Sequence, residues 1–130
     1  LDASPSIVES DWELEKDFAK NVVEAFANRN LFANGGTASY VQFSGSANSE
    51  FTTTSETEFN DIVDVDTQKW GLFGGTNIEA GIAAGRALLA GNLASANFMV
   101  VITDGEATFG GDPTIEADAA RAEGTTIFAV

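Results

Sequence analysis

A chain of 130 residues that is 44% hydrophobic and carries ten Phe is long enough for one compact domain with a buried core. Twenty acidic residues against six basic ones leave a net charge of −14, which repels phosphate backbones and anionic membrane surfaces and so argues against nucleic-acid binding; the same excess serves equally as a surface adapted to a salty medium. The sequence has neither Cys nor His, which removes disulfides, thiolate metal sites, the usual zinc ligand and every Ser-His-Asp arrangement, and no apolar run reaches the length of a membrane span.

The chain opens on Asp2-Ala3-Ser4-Pro5-Ser6, one carboxylate and two hydroxyls at alternate positions. On a turn leaving a strand end these oxygens can converge on a hard cation such as Mg²⁺, although the same residues are also ordinary turn chemistry. Ser10-Asp11-Trp12-Glu13 reads as a capping box for a helix over about 11–29. Leu14, Phe18, Val22 and Phe26, broadened by Val23, form its expected buried stripe, and Glu13, Lys16, Asp17, Lys20 and Glu24 its solvated face. Beyond Asn34-Gly35-Gly36, residues 37–44 are β-rich through Tyr40, Val41 and Phe43, and 50–54 supply a Thr-rich, edge-type hairpin partner across a turn at 45–48. Ser55-Glu56-Thr57-Glu58 is a second capping box, opening a short helix that buries Phe59, Ile62 and Val63.

Asp61, Asp64 and Asp66 fail the spacing of a calcium loop, since Asp66 stands where its Gly belongs, and Asp64-Val65-Asp66-Thr67 is one residue short of a phosphatase-type double aspartate. They read as a solvated acidic turn. The Gly-rich stretch 71–77 opens a helix over about 77–91 whose larger apolar residues are Ile78, Ile82, Leu88 and Leu89. Gly81 and Gly85 inside it cost about 1 kcal/mol each relative to Ala, which predicts that another element approaches the helix backbone closely. No Gly-Lys-Ser/Thr and no Gly-x-Gly-x-x-Gly is present, so this is not a phosphate-cradling loop.

Residues 98–103 are the most apolar run in the chain, as expected of a strand buried on both faces of a parallel sheet, and Asp104-Gly105 ends it. A carboxylate there lies where open α/β sheets place their ligands, although Asp-Gly is also a plain turn. The acidic, Gly-containing loop 106–112 is expected to be exposed. Asp112 then caps a helix with Pro113 at its first position, running to about Ala122 with Gly124 as its stop, and 125–130 form a last strand.

Alternating strands and helices call for a mostly parallel sheet with helices on both faces, and right-handed crossovers bring Asp2 with Ser4 and Ser6, then Thr76, then Asp104 to one edge of it. With that constellation the chain resembles the von Willebrand factor type A (vWA) domain, the I-domain family of integrins and matrix proteins, over essentially its whole length. The family's metal-ion-dependent adhesion site (MIDAS) is written Asp-x-Ser-x-Ser, a distant Thr and a distant Asp. Here these are Asp2-Ala3-Ser4-Pro5-Ser6, the Thr76 of Gly74-Gly75-Thr76-Asn77 and the Asp104 of Ile102-Thr103-Asp104-Gly105, accompanied by Val41-Gln42-Phe43-Ser44 in the family's second strand and residues 124–130 in its fifth.

The resemblance implies a single domain over 1–130 with a Rossmann-like open, mostly parallel sheet, one antiparallel edge strand and helices on both faces. It implies that Ser4 and Ser6 bind Mg²⁺ (or Mn²⁺) through their hydroxyls, that Thr76 coordinates directly or through water, and that Asp2 and Asp104 act through water or hydroxyls. A site ligated by neutral hydroxyls keeps the cation electrophilic and leaves a position that a protein partner's Glu or Asp can take. The implied function is adhesion or protein binding at an extracellular or cell-surface location, not catalysis; Glu106 is the one evident base near the motif. The alternative within the family is an intracellular docking module of an ATPase or chelatase assembly. Pro5, Asn77, Glu106, Thr108 and Phe109 are the candidate rim for contacting a ligand. The family starts with an apolar strand ahead of the motif Asp, where here only Leu1 precedes Asp2, and continues past the strand at Val130. The expectation is therefore a domain truncated at both ends, part of a longer multidomain chain, with no direct membrane insertion.

Overall fold

The computed structural model describes residues 1–69, 74–90 and 96–130, and the elements named below are those found among them. Helix α1 (Glu9–Ala27) is phased by Trp12. That side chain enters the core with Glu15 and Lys16 one turn on and Ala19 and Val23 two and three turns on, a spacing of three and four residues that defines one helical face. The stripe expected from Leu14 and Phe18 is therefore corrected: Leu14 sits about 200° around the helix from Trp12 and is 65% exposed. Lys16, expected on the solvated face, is buried, its ammonium reaching the carbonyls of Asp64 (3.3 Å) and Asp66 (3.5 Å) while pairing with Glu13. Nor does the first capping box form. Val8 holds the N-cap position without a side-chain bond, and the Ser10 hydroxyl turns to Asp11.

Strands β1 (Ala38–Phe43) and β2 (Ala47–Thr53) pair as an antiparallel hairpin, with a register shift between Gln42 and Phe43. The second strand starts earlier than expected because residues 44–46 suffice for the turn. Helix α2 (Glu56–Val65) does use its predicted cap, Ser55 Oγ accepting from the Glu58 amide at 3.3 Å. The Glu58 carboxylate bonds the Thr53 hydroxyl instead of reaching back to the Ser55 amide, which Thr53 Oγ1 satisfies at 3.0 Å. Helix α3 (Ile78–Leu89) follows Asn77, and strand β3 (Asn97–Val101), helix α4 (Pro113–Ala122) and strand β4 (Thr125–Ala129) complete the order, with Asp112 capping α4 and Gly124 at φ 91° ending it. Residues 71–73 of the Gly-rich stretch and the predicted end of α3 at Gly91 lie outside the described residues.

Residues 1–3 join the two halves of the sheet. Phe43 N donates to Leu1 O (3.0 Å) and Ala3 N to Phe43 O (2.6 Å) on one side, and Asp2 N donates to Ile102 O (3.1 Å) on the other. The order is thus β2, β1, residues 1–3, β3, β4, with β2 the antiparallel edge, Asp2 bridged in parallel to Phe43, and β3 parallel to β4. Strand alternation divides the core in two: Val100 and Ile102 face Trp12, Tyr40, Phe59 and Val63 under α1 and α2, whereas Met99 and Val101 join Phe43, Ile82 and Ala117 under α3 and α4. Close approach at the helical glycines is as the sequence required. A Cβ on Gly81 would stand 2.6 Å from the Phe43 ring, and one on Gly85 3.1 Å from Met99 Cε. An apolar cavity of about 230 Å³ lies between β1 and β3, lined by Phe18, Val22, Phe26, Val41 and Phe98 among others, and it leaves Phe98 45% exposed at the start of a strand expected to be buried on both faces. Among the described residues no helix is long and apolar enough to cross a membrane.

Candidate metal site

Asp2 is fully buried where the chain leaves the sheet. Its Oδ1 accepts the Ser4 amide at 2.8 Å and its Oδ2 the Thr103 hydroxyl at 2.7 Å. The first bond bends the chain into a turn at once, and the second ties that turn to the end of β3. The turn closes with Ile7 N donating to Ser4 O at 3.1 Å. Ser4 Oγ and Ser6 Oγ come 2.8 Å apart, and Ser6 Oγ donates to Asp104 Oδ1 at 3.2 Å. Asp2, Ser4, Ser6 and Asp104 therefore form one contact chain, running from the buried Asp2 and Ser4 to the exposed Ser6 and Asp104.

Among the described residues no hydrogen bond joins Thr76 to the serine turn; it is the preceding Gly74 that packs against Pro5, on a backbone that only glycine fits. Gly74 and Gly75 have φ of 55° and 114°; a Cβ on Gly74 would stand 3.3 Å from Pro5 Cγ, and one on Gly75 3.3 Å from Thr108 Oγ1. Buried Thr76 is clasped by Thr108, whose hydroxyl accepts the Thr76 amide at 2.9 Å and whose amide donates to Thr76 O at 3.0 Å, with Phe109 N on the same carbonyl at 3.3 Å. Of the predicted rim, Pro5, Glu106, Thr108 and Phe109 are exposed. Asn77 is buried: its Oδ1 caps α3 at the Ala80 amide (3.0 Å), its Nδ2 donates to Gly45 O (3.1 Å), and its own amide bonds Ser44 O (2.7 Å).

Three neighbours of the site escaped the sequence reading. Asp66, read as part of a solvated turn, has a side chain only 9% exposed and accepts from Tyr40 Oη (3.0 Å), Gln42 Nε2 (2.8 Å) and Lys69 Nζ (2.9 Å), while Asp61 and Asp64 are exposed as expected. Gln68 sends its side chain to the serine turn. Buried Glu15 leaves one carboxyl oxygen without a partner; burial pushes its carboxyl up to about 8, the Leu1 ammonium pulling the other way and the Asp2 charge adding to the rise. The signal that was available is Gln42, a fully buried polar side chain in an otherwise apolar and aromatic run, which requires a polar partner nearby.

The donor set suits a hard divalent cation. Each oxygen of the buried Asp2 already accepts one bond, so the less committed oxygens are the hydroxyls of Ser4, Ser6 and Thr76 and the free lone pairs of the exposed Asp104 carboxylate. Among the described residues no three His, Cys, Asp or Glu side chains gather as a metal cage, so a cation here depends on the hydroxyls.

The family model of the von Willebrand factor type A domain matches residues 1–130. No curated protein gives a match. Among solved structures, proximal thread matrix protein 1 from the mussel byssus superposes with a TM-score of 0.82 at 26% identity, over 99% of this chain and 35% of its own. A further structure of that mussel protein, with the same figures, has a zinc-occupied MIDAS motif. An aerotolerance-related membrane protein from Bacteroides fragilis, crystallised with multiple mutations to serine, shares the fold at a TM-score of 0.77 and 22% identity, over 98% of this chain and 62% of its own. The present chain thus spans about a third of the mussel protein's length.

Proposed function

Since this chain belongs to the von Willebrand factor type A family, we propose that it is a metal-dependent protein-interaction module. The residues that hold the divalent cation, Mg²⁺ or Mn²⁺, are Ser4, Ser6 and Thr76, with Asp2 and Asp104 behind them. The observation that carries this reading is the convergence of Ser4 Oγ, Ser6 Oγ and Asp104 Oδ1 above an Asp2 whose own oxygens are already bonded. Asp2 orients the turn, keeping Ser4 and Ser6 side by side, and Thr108 holds the Thr76 backbone. A bound cation supplies an open coordination position for an anionic oxygen of a partner.

Charge makes that dependence strict. A chain of net charge −14 repels a partner's Glu or Asp unless a cation stands between the two carboxyl-bearing surfaces. Binding of such a partner is therefore expected to vanish on chelation. Pro5, Glu106, Thr108 and Phe109 would form the contact rim, Asn77 supporting it from below. Binding, not turnover, fits a site without His or a neighbouring Lys, and the mussel byssus neighbour favours an extracellular or cell-surface setting. Titration calorimetry with Mg²⁺ and Mn²⁺ tests the reading: saturable binding to wild type that Ser4→Ala abolishes is expected, and equal affinity in the two proteins overturns it.

A further inference from the structure

We propose that Gln68 is a positioning residue for this site, holding the carbonyls of the serine turn as Asp2 holds its amide; the inference rests on the metal reading above. Asp2 secures the inner side of the turn through the Ser4 amide. The outer side presents carbonyls, and those of Ser4 and Ile7, at its two ends, both accept from the one Gln68 Nε2, at 3.0 and 2.9 Å. A primary amide carries two hydrogens in a fixed planar fork, so a single side chain bridges both ends of the turn that the Ile7 amide closes on Ser4 O, and on which the Ser4 and Ser6 hydroxyls ride.

Gln68 can act in this way because its own backbone is held. Gln42, fully buried on β1, accepts the Lys69 amide at 2.6 Å and donates to Thr67 O at 3.1 Å and to the Asp66 carboxylate at 2.8 Å. One glutamine thus grips the residues on both sides of Gln68 and leaves the second glutamine facing the turn. The far end is tied to the hairpin, Lys69 O accepting from Ser44 Oγ (3.3 Å) and Asn48 Nδ2 (3.0 Å). The result is a polar strut running from Gln42 near the end of β1, through residues 66–69, to the Ser4 and Ile7 carbonyls. Residues that orient ligating groups in this manner typically change metal affinity about 10- to 100-fold when removed. A neutral donor is also the suitable choice: a Glu here would turn lone pairs toward two carbonyl oxygens.

The test is Mn²⁺ affinity, by calorimetry, of wild type, Ser4→Ala, Gln68→Met and Gln68→Glu, below the unfolding midpoint of each variant measured by circular dichroism. Met keeps the length and removes both donors; Glu removes them and adds a negative charge that by itself would favour a cation. The expected result is loss of binding in Ser4→Ala and a fall of about 10-fold or more in both Gln68 variants, with metal-free amide NMR shifts concentrated at residues 4–7. Unchanged affinity in Gln68→Met, or tighter binding in Gln68→Glu, overturns the role of Gln68 while Ser4→Ala still reports on the site. Wild type that fails to bind Mn²⁺, or Ser4→Ala that binds as wild type does, overturns the metal reading and this inference with it. A variant whose midpoint falls but whose folded form binds normally assigns Gln68 to stability alone and likewise overturns the proposal.

Discussion

The floor and the rim of the candidate site are held by different means. The floor, Asp2 and Ser4, is buried and held from three directions: from β1 by the bonds of Phe43 to the neighbouring Leu1 and Ala3, from the end of β3 by Ile102 and Thr103, and from residues 66–69 by Gln68. The rim, residues 105–112 beyond the metal-side Asp104, is exposed throughout. It is joined to the rest at its start by Ser6 on Asp104, by Thr108 and Phe109 on Thr76, and by Glu79 on the Gly111 amide at 2.5 Å. A cation needs oxygens at fixed separations, which strand ends and buried bonds supply; a protein partner is met by loops whose few ties leave them free to adapt. Metal affinity should therefore follow the floor and partner choice the rim.

Breaking the floor carries the largest expected effect. Asp2→Ala strands the buried Ser4 amide and removes the 2.7 Å acceptor of the half-buried Thr103 hydroxyl, at a cost of about 2 kcal/mol. Chemical denaturation should show that loss, and calorimetry no Mn²⁺ binding. A variant destabilised by less than about 1 kcal/mol would mean that the floor is no more tightly held than the rim. Next comes the joint between the two. Gly75→Ala must keep φ near 114° with a Cβ 3.3 Å from Thr108 Oγ1, and the strain, about 1–3 kcal/mol, is most easily relieved by parting Thr76 from Thr108. Both thermal stability and Mn²⁺ affinity should drop; a fall in stability with full affinity would show that Thr76 does not need its clasp. Asn77→Ala is expected to cost about 1 kcal/mol, the usual loss of an N-cap, since the amide caps α3 and holds Gly45.

Much of the floor was legible because short-range chemistry builds it. An Asp that bends its own chain two residues on, serines at alternate positions and a carboxylate closing an apolar strand all announce themselves locally. So do the caps at Ser55 and Asp112, which formed. Three features were hidden. The phase of α1 was ambiguous because its apolar residues outnumber those one face can bury: Trp12 took the core, Leu14 was left outside, and Phe18 and Val22 face the cavity beside β1. Lys16 and Asp66 look like surface charges until the chain folds, for their partners are the carbonyls that end α2, a tyrosine and a glutamine from β1. Gln68 has no local signature, because the carbonyls it holds lie about sixty residues away in sequence. Polar groups satisfied at long range leave no periodicity to detect; the sign that went unread is Gln42, a polar residue between Val41 and Phe43.

The smallest effect on the fold, and the sharpest separation of floor from rim, is expected of Phe109→Ala. The ring is 48% exposed, so only about half of its apolar surface is buried to begin with, and the bond this residue makes to Thr76 O comes from its backbone amide, which alanine retains. Stability should fall by no more than about 1 kcal/mol, and Mn²⁺ affinity should not change. A protein partner would lose an aromatic contact of the kind that dominates interface energetics. If Phe109→Ala instead weakened Mn²⁺ binding in calorimetry while the melting curve stayed in place, the ring itself would be shaping the cation site. The rim would then set metal affinity as well as partner choice, and the division between the two parts of the site would fail at that residue.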